Sequence, residues 1–318
     1  AIPYLAFNGA NIIKSIFGKN KKVLNLDLDN TLWGGIVGDD GADNIEIGQE
    51  TSLAQTYSEF QEYIKLHKDI GILLTVNSKN DESNALSGLN RPDSILNKED
   101  FVCIKANWNP KSINLSETAQ ELNLLPDSFV FVDDNPAERA IVEAQLNGVA
   151  IPEVDGVENY IRYIDKSGFF EVTTLSKDDL SRTEMYKENA KRNQLQAMFS
   201  DYDDYLKSLE MKAEIQSFSP VYMSRIAQLT NKSNQFNLTT KRYSQADIEL
   251  VADDNSYITL YGKLSDKFGD NGVVSVVVGK NITVANLIYF EKAMLKALFK
   301  KDIEVRLRPG FFPFTEPS

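Results

Sequence analysis

Cysteine and histidine each occur once in the 318-residue sequence, and tryptophan only twice. The lone Cys103 excludes an internal disulfide framework and any zinc site built on cysteine. Its place in an apolar run reads as that of a small core residue. His67, between Lys65 and Lys68 near a helix end, reads as solvated and without a catalytic role. Cations are short as well: 34 Lys and Arg against 46 Asp and Glu leave a net charge of −12 and a pI near 4.8. Nucleic acid and anionic membranes reward clustered Lys and Arg, so neither is expected as a partner. An anionic substrate stays open where a local cation or a metal offsets the field. No apolar run reaches the ~18 residues of a membrane-spanning helix, and no charged, apolar, small-residue succession at the start reads as a signal peptide. The expected compartment is the cytoplasm. The chain opens at Ala1 without Met, so a preceding segment is expected.

Hydrophobic residues make up 42% of the chain, enough to give each of two domains a core. A lead-in helix is expected at 4–18, and from Lys22 strands and helices alternate. Strands are predicted at 23–28, 71–77, 101–104 and 128–132, helices at 52–69, 111–122 and 136–146, and a short apolar segment at 149–151. The Gly- and Asp-rich segment 34–48 reads as a hairpin flap around Gly38-Asp39-Asp40-Gly41, while 81–100 gives no clear signal. The alternation predicts an α/β fold with a doubly wound parallel sheet. Residues 155–210 read as a helical connection, and 211–318 as a second, α+β domain. In that domain strands are predicted at 212–218, 256–263, 272–279 and 303–308, with helices at 220–230, 244–251 and 287–300. The expected organisation is therefore a lead-in at 1–20, a catalytic domain at 21–154, the connection at 155–210 and the second domain at 211–318. The amide-rich run Asn231–Thr240 reads either as a substrate-facing loop or as a satisfied amide network, and Asp266–Asp270 as a hairpin turn.

The chain is organised around Val23-Leu24-Asn25-Leu26-Asp27-Leu28-Asp29-Asn30-Thr31-Leu32-Trp33, an apolar strand run that ends in two aspartates one residue apart. Side chains along a strand alternate faces, so Asp27 and Asp29 share a face only while the strand persists. Ser78, Lys111 and the pair Asp133-Asp134 also stand at strand ends or helix starts, and in a parallel sheet such ends lie along one edge. Each suits phosphoryl transfer. A carboxylate such as Asp27 can attack phosphorus and form an acyl phosphate. A hard cation must then bridge carboxylate and phosphate, with Asp27 and Asp134 as side-chain ligands of Mg²⁺. Asp29 can protonate the leaving oxygen and later deprotonate water. Ser78 and nearby backbone N–H groups can hold phosphate oxygens, Lys111 can neutralise residual charge, and Asp133 can fix Lys111 in place. A Ca²⁺ loop of EF-hand type would need Gly and Glu where Leu32 and Gly38 stand. Lys105 is the rival to Lys111, and Trp33 and Trp108 read as packing residues rather than ligand stackers.

The phrases Asp27 to Gly35, Gly38 to Gly41, Asn77-Ser78-Lys79-Asn80, Lys105 to Trp108 before Lys111, and Asp133 to Glu138 together resemble the haloacid dehalogenase superfamily, in particular its FkbH-like branch. The resemblance implies Asp27 as nucleophile and Asp29 as acid/base, with the Asp29 carbonyl also on the metal. It places Thr31, Ser78, Lys79, Asn80 and Lys111 around the phosphate and makes Asp133-Asp134 the last acidic motif. It implies no large cap, a small phosphorylated substrate and, for members in polyketide pathways, a phosphoglycerate donor with an acyl carrier protein as acceptor. The second half, through Arg225 to Thr240 and Asp266 to Gly272, is similar to an acetyltransferase-type domain. Where the loop that would hold the CoA pyrophosphate is expected, Val276 to Lys280 passes straight to Asn281, so either the CoA function is absent or a segment is missing there. A vestigial docking module and acyl transfer by the second domain are the alternative readings. Dehalogenation needs neither a second acid nor Mg²⁺, so Asp29 and Asp133-Asp134 favour phosphate over halide.

Overall fold

A computed structural model describes residues 2–172, 175, 177–232 and 241–280. They fall into two compact units that divide between Tyr205 and Leu206. The first unit runs through helix α1 (Ile2–Ile16), strand β1 (Val23–Leu26), the one-turn helix α2 (Val37–Asp40), α3 (Ser52–Asp69) and β2 (Leu73–Ser78). It continues with α4 (Glu82–Leu89), β3 (Cys103–Ala106), α5 (Lys111–Glu121), β4 (Phe129–Val132), α6 (Pro136–Gln145), α7 (Val157–Lys166), α8 (Lys177–Leu180) and α9 (Arg182–Ala197). Helix α10 (Tyr202–Ser208) spans the division.

The four strands are parallel in the order β3-β2-β1-β4. Strand β1 therefore has a neighbour on either side, in register Val23 with Leu73 and with Phe129. β1, β2 and β4 are short apolar runs buried along their whole length, as a parallel sheet covered on both faces requires. Alternate residues serve the two faces. Leu24, Leu26, Leu74, Val76, Val130 and Val132 pack with Phe60 and Ile64 of α3 and Tyr160 and Ile164 of α7. Val23, Leu73, Phe129 and Phe131 pack with Leu115 and Ala119 of α5 and Val142 of α6. Ala150 extends the sheet beyond β4, its N–H donating to Phe129 O at 3.0 Å and its carbonyl accepting from Phe131 N at 2.8 Å.

The segment 34–48 departs from the expected hairpin. Gly38-Asp39-Asp40 winds into α2, and one reciprocal pair of backbone bonds, Gly34 with Glu46 at 3.0 and 2.8 Å, is all that closes the loop as antiparallel strands would. The reason is local: the Asp40 carboxylate accepts from Ile36 N at 2.8 Å, which favours a helical turn over a pairing strand. Within 81–100 the structure adds α4 and a short 3-10 turn at Lys98–Asp100.

In the second unit, β5 (Lys212–Gln216), β6 (Tyr257–Ser265) and β7 (Asp270–Lys280) form an antiparallel sheet in that order. Helices α11 (Met223–Lys232) and α12 (Gln245–Asp253) supply Ile226 and Ile248 to a core with Tyr261 and Val273. The turn between β6 and β7 is held by Asp266, whose Oδ1 accepts from Phe268 N at 2.8 Å and Gly269 N at 3.2 Å. The elements expected at 287–300 and 303–308, and most of the amide-rich run, lie outside the described residues.

Candidate active site

β1 ends at Leu26, and Asp27 continues its direction by one more sheet bond, Asp27 N to Val132 O at 3.0 Å. By alternation it lies on the α5 side of the sheet, as does Asp133 after β4. Lys111, the first residue of α5, meets both there. Its ammonium is 2.5 Å from Asp133 Oδ2 and 2.9 Å from Asp27 Oδ1, with the lysine side chain only 4% exposed. A cation at a helix N-terminus opposes the helix dipole, so the two carboxylates hold it there. Burial by itself would lower the lysine's pKa, but Asp27 and Asp133 together outweigh it and keep the amine charged. Burial and the charge of Asp27 push the Asp133 carboxyl up to about 6, with Lys111 pulling the other way. Asp134 is raised by the same two causes.

The backbone around these acids is braced. Thr31 Oγ1 accepts from Asp134 N at 3.3 Å, and the Arg139 guanidinium donates to Asp133 O at 2.7 Å and Asp134 O at 2.8 Å. Asn135 caps α6 by accepting from Ala137 N at 2.9 Å, with Pro136 in the first turn. Behind Lys111 runs a chain of buried amides. Asn25 donates to Thr75 Oγ1 at 2.7 Å, Asn77 donates to Asn25 Oδ1 at 3.3 Å and to Lys111 O at 2.8 Å, and Asn114 donates to Asn77 Oδ1 at 3.2 Å.

Asp29 lies past the strand end and turns to the flap. Its Oδ1 accepts from Trp33 Nε1 at 2.9 Å and Val37 N at 3.0 Å, and its Oδ2 from Asn80 Nδ2 at 2.9 Å. Burial raises its pKa, against the lowering effect of the Val37 and Trp33 donors.

The structure thus brings Asp27, Lys111, Asp133 and Asp134 together, with Thr31 beside Asp134. Ser78, buried, is the last residue of β2, the strand paired with β1. Two residues expected at the phosphate are engaged elsewhere: Asn80 donates to Asp29, and Lys79 pairs with Glu138 at 2.6 Å. Lys105, the rival lysine, is tied to Glu117 and Glu121 at 3.4 and 2.6 Å. Trp33 is fully buried, whereas Trp108 is exposed and donates to Asp81 at 3.0 Å, so it is not a packing residue. Cys103 sits half-buried at the sheet edge, its thiol pushed up to about 11 by burial and Glu121. His67 is half-buried rather than fully solvated: it packs against Tyr63 and Phe170, and burial lowers its pKa. Sequence reasoning missed Asn77, Arg139 and Tyr160, whose hydroxyl donates to Asn30 O at 3.1 Å. A polar residue inside an apolar strand, Asn25 or Asn77, is the signal that marks such a network.

Oxygens of Asp27, Asp133 and Asp134 lie within 4.8 Å of one another. Asp27 Oδ1 is buried and, although the ammonium is near, accepts no aligned hydrogen bond. Three carboxylates gathered this closely fit a hard divalent cation, which takes oxygen ligands.

The first unit is similar to a solved structure. The chain is 40% identical to the N-terminal part of a Bacteroides fragilis protein containing a phosphatase domain, solved in complex with Mg, at a TM-score of 0.53. The match covers 55% of this chain and 47% of that one. The first unit has a haloacid-dehalogenase-type phosphatase fold with an aspartate cluster at the carboxyl edge of its sheet.

The end of the chain resembles something else. Residues 271–318 match the family model of the tRNA synthetases class II core domain (F). The phenylalanine–tRNA ligase alpha subunit of Leptospira biflexa is 56% identical over 46 residues, 14% of either chain. That of Mycoplasma capricolum is 37% identical over 90 residues, 26% of either chain. The chain thus spans about a seventh to a quarter of these relatives. The place where the CoA loop was expected and not found, after Lys280, lies inside this synthetase-like stretch. Among the described residues no helix is long and apolar enough to cross a membrane.

Proposed function

We propose that this protein is a Mg²⁺-dependent phosphatase or phosphotransferase that works through an aspartyl phosphate on a small phosphorylated metabolite. The observation that carries this reading is the buried cluster of Asp27, Lys111, Asp133 and Asp134 at the end of the central strand. Asp27, Asp134 and the Asp29 carbonyl would hold Mg²⁺, which would supply the charge neutralisation that lets a carboxylate approach a phosphate. Asp27 attacks phosphorus and becomes an acyl phosphate. Asp29 gives a proton to the leaving oxygen and takes one from the water, or other acceptor, that follows. Lys111, oriented by Asp133, and Ser78 receive the phosphoryl oxygens. Thr31 keeps Asp134 in place through its N–H, and Asn80 does the same for Asp29.

The finer reading is an FkbH-like enzyme acting in the cytoplasm, with a phosphoglycerate-derived group as cargo, an acyl carrier protein as acceptor, and a second domain, read as 211–318, that is acetyltransferase-like only ahead of the synthetase-like stretch beginning at 271. The motif phrases between Asp27 and Glu138 support it, and the acidic charge suits neither nucleic acid nor membrane as partner. No CoA chemistry and no aminoacylation is proposed, since the CoA loop is missing and the synthetase-like stretch is a small part of its relatives. The test is Asp27→Asn assayed with an aryl phosphate and Mg²⁺. Turnover should disappear, with no phosphoenzyme trapped, and unchanged turnover would refute the assignment.

A further inference from the structure

Asp29 has four lone pairs to offer on its two carboxylate oxygens, and three hydrogen bonds divide them unevenly. Oδ1 accepts from Trp33 Nε1 at 2.9 Å and from Val37 N at 3.0 Å, so both of its lone pairs are engaged. Oδ2 accepts from Asn80 Nδ2 at 2.9 Å and keeps one lone pair open. The donors are themselves fixed. Trp33 is fully buried, with its ring against Gly88, where an added Cβ would come within 2.7 Å of it. Asn80 is 4% exposed. Val37 N belongs to the first residue of α2, inside the loop closed by Gly34 and Glu46.

We infer that Trp33 and Asn80 are positioning residues: Trp33, by engaging Oδ1, selects Oδ2 as the oxygen on which Asp29 carries its proton, and Asn80, by donating to Oδ2, fixes the direction in which that oxygen presents it. The inference rests on Asp29 being the acid/base. As the Asp27 oxygen bonds to phosphorus and the ester P–O bond breaks, the proton on Oδ2 moves to the departing oxygen. When water attacks, its proton passes to Oδ2 as the Asp27–phosphorus bond breaks. Without the Trp33 N–H, Oδ1 regains a lone pair, the proton divides between the two oxygens, and the transfer loses its fixed geometry.

The distinguishing readout is the leaving group. An alkyl phosphate needs a proton delivered to its departing oxygen, whereas 2,4-dinitrophenyl phosphate does not. kcat/KM reports the steps up to that departure. Trp33→Phe keeps the ring and its packing, and should lower kcat/KM for an alkyl phosphate by about tenfold, a fraction of the 10²–10⁴ that general acid catalysis supplies, while the dinitrophenyl ester changes by less than about twofold. Asn80→Ala should show the same split and serves if Trp33→Phe fails to fold. An equal loss for both esters would mean a merely structural role and overturn the inference, as would no loss for either. Asp29→Asn is the control. If it fails to discriminate between the esters, the acid/base reading itself is wrong; if it discriminates and the positioning variants do not, only the present inference fails.

Discussion

The Lys111 ammonium and the Asp133 carboxylate form an ion pair closed to solvent, 2.5 Å apart, with side chains 4% and 0% exposed. A buried pair of this kind is weak evidence of net stabilisation, because desolvation offsets much of the attraction, but removing one partner strands the other. The pair therefore bears on stability as strongly as on chemistry.

Lys111→Met should destabilise the metal-free protein by about 3–5 kcal/mol at neutral pH, the usual consequence of leaving a buried charge unpaired. Lys111 is one of the groups that pull the Asp133 carboxyl down, so in the variant that carboxyl titrates higher still. The loss should shrink toward pH 5, where the acid is neutral, and grow toward pH 8. Urea unfolding at both pH values measures it; a pH-independent loss would argue against the pairing.

In the wild type, the Asp133 carboxyl titrates near 6 in the fold against 3.8 for an ordinary aspartate. Between those values the native state keeps a proton that the unfolded chain has released. Metal-free stability should thus be full below pH 4 as far as this group is concerned and fall as pH rises through about 6. The Asp134 carboxyl, a ligand in the proposed site, is raised as well by burial and the charge of Asp27, so a divalent cation competes with its proton and Mg²⁺ should stabilise less at pH 5 than at pH 7. At a hundredfold excess over Kd the gain is about 2.7 kcal/mol. Thermal unfolding with and without Mg²⁺ at the two pH values checks both signs, and Asp134→Asn should abolish the Mg²⁺ effect.

Gly88→Ala tests the packing behind Asp29. A methyl group there meets the Trp33 ring at 2.7 and 2.8 Å, closer than real contacts allow, and the ring is a rigid neighbour. The expected cost is about 1–3 kcal/mol from overpacking, read as a lower Tm. Turnover should fall as well, since a shifted indole loses its bond to Asp29. A variant with wild-type Tm and activity would show that the ring can move aside freely.

Much of this architecture was legible because the signals were local. The apolar runs at β1, β2 and β4 end sharply at acids or at Ser78, and periodicity placed α3, α5 and α6 to within a few residues. The meeting of Asp27, Lys111 and Asp133 followed from parallel strands sharing an edge. What was not legible depends on partners far away in sequence. The family resemblance puts Asn80 at the phosphate, and only the folded loop shows that it donates to Asp29. Lys79 reaches Glu138 across 59 positions, a pairing no spacing rule anticipates. The flap misled because Gly and Asp suit a hairpin turn and a helical turn equally, and Asp40 decides in favour of the helix.

The chain of amides from Asn25 through Asn77 to Asn114 has a consequence for how the chain finds its fold. An apolar parallel sheet can pair in several offsets with little penalty, since one aliphatic side chain replaces another. Here a slip of one residue between β1 and β2 would put Asn25 and Asn77 on opposite faces, away from each other, and a slip of β2 would also take Asn77 from the Lys111 carbonyl it holds. Buried amides without partners are expensive, so misaligned sheets, which would not assemble the aspartate cluster, are penalised. The polar thread thus acts as a proofreader of strand alignment, and the chain that satisfies it has also set its lysine beside its aspartates.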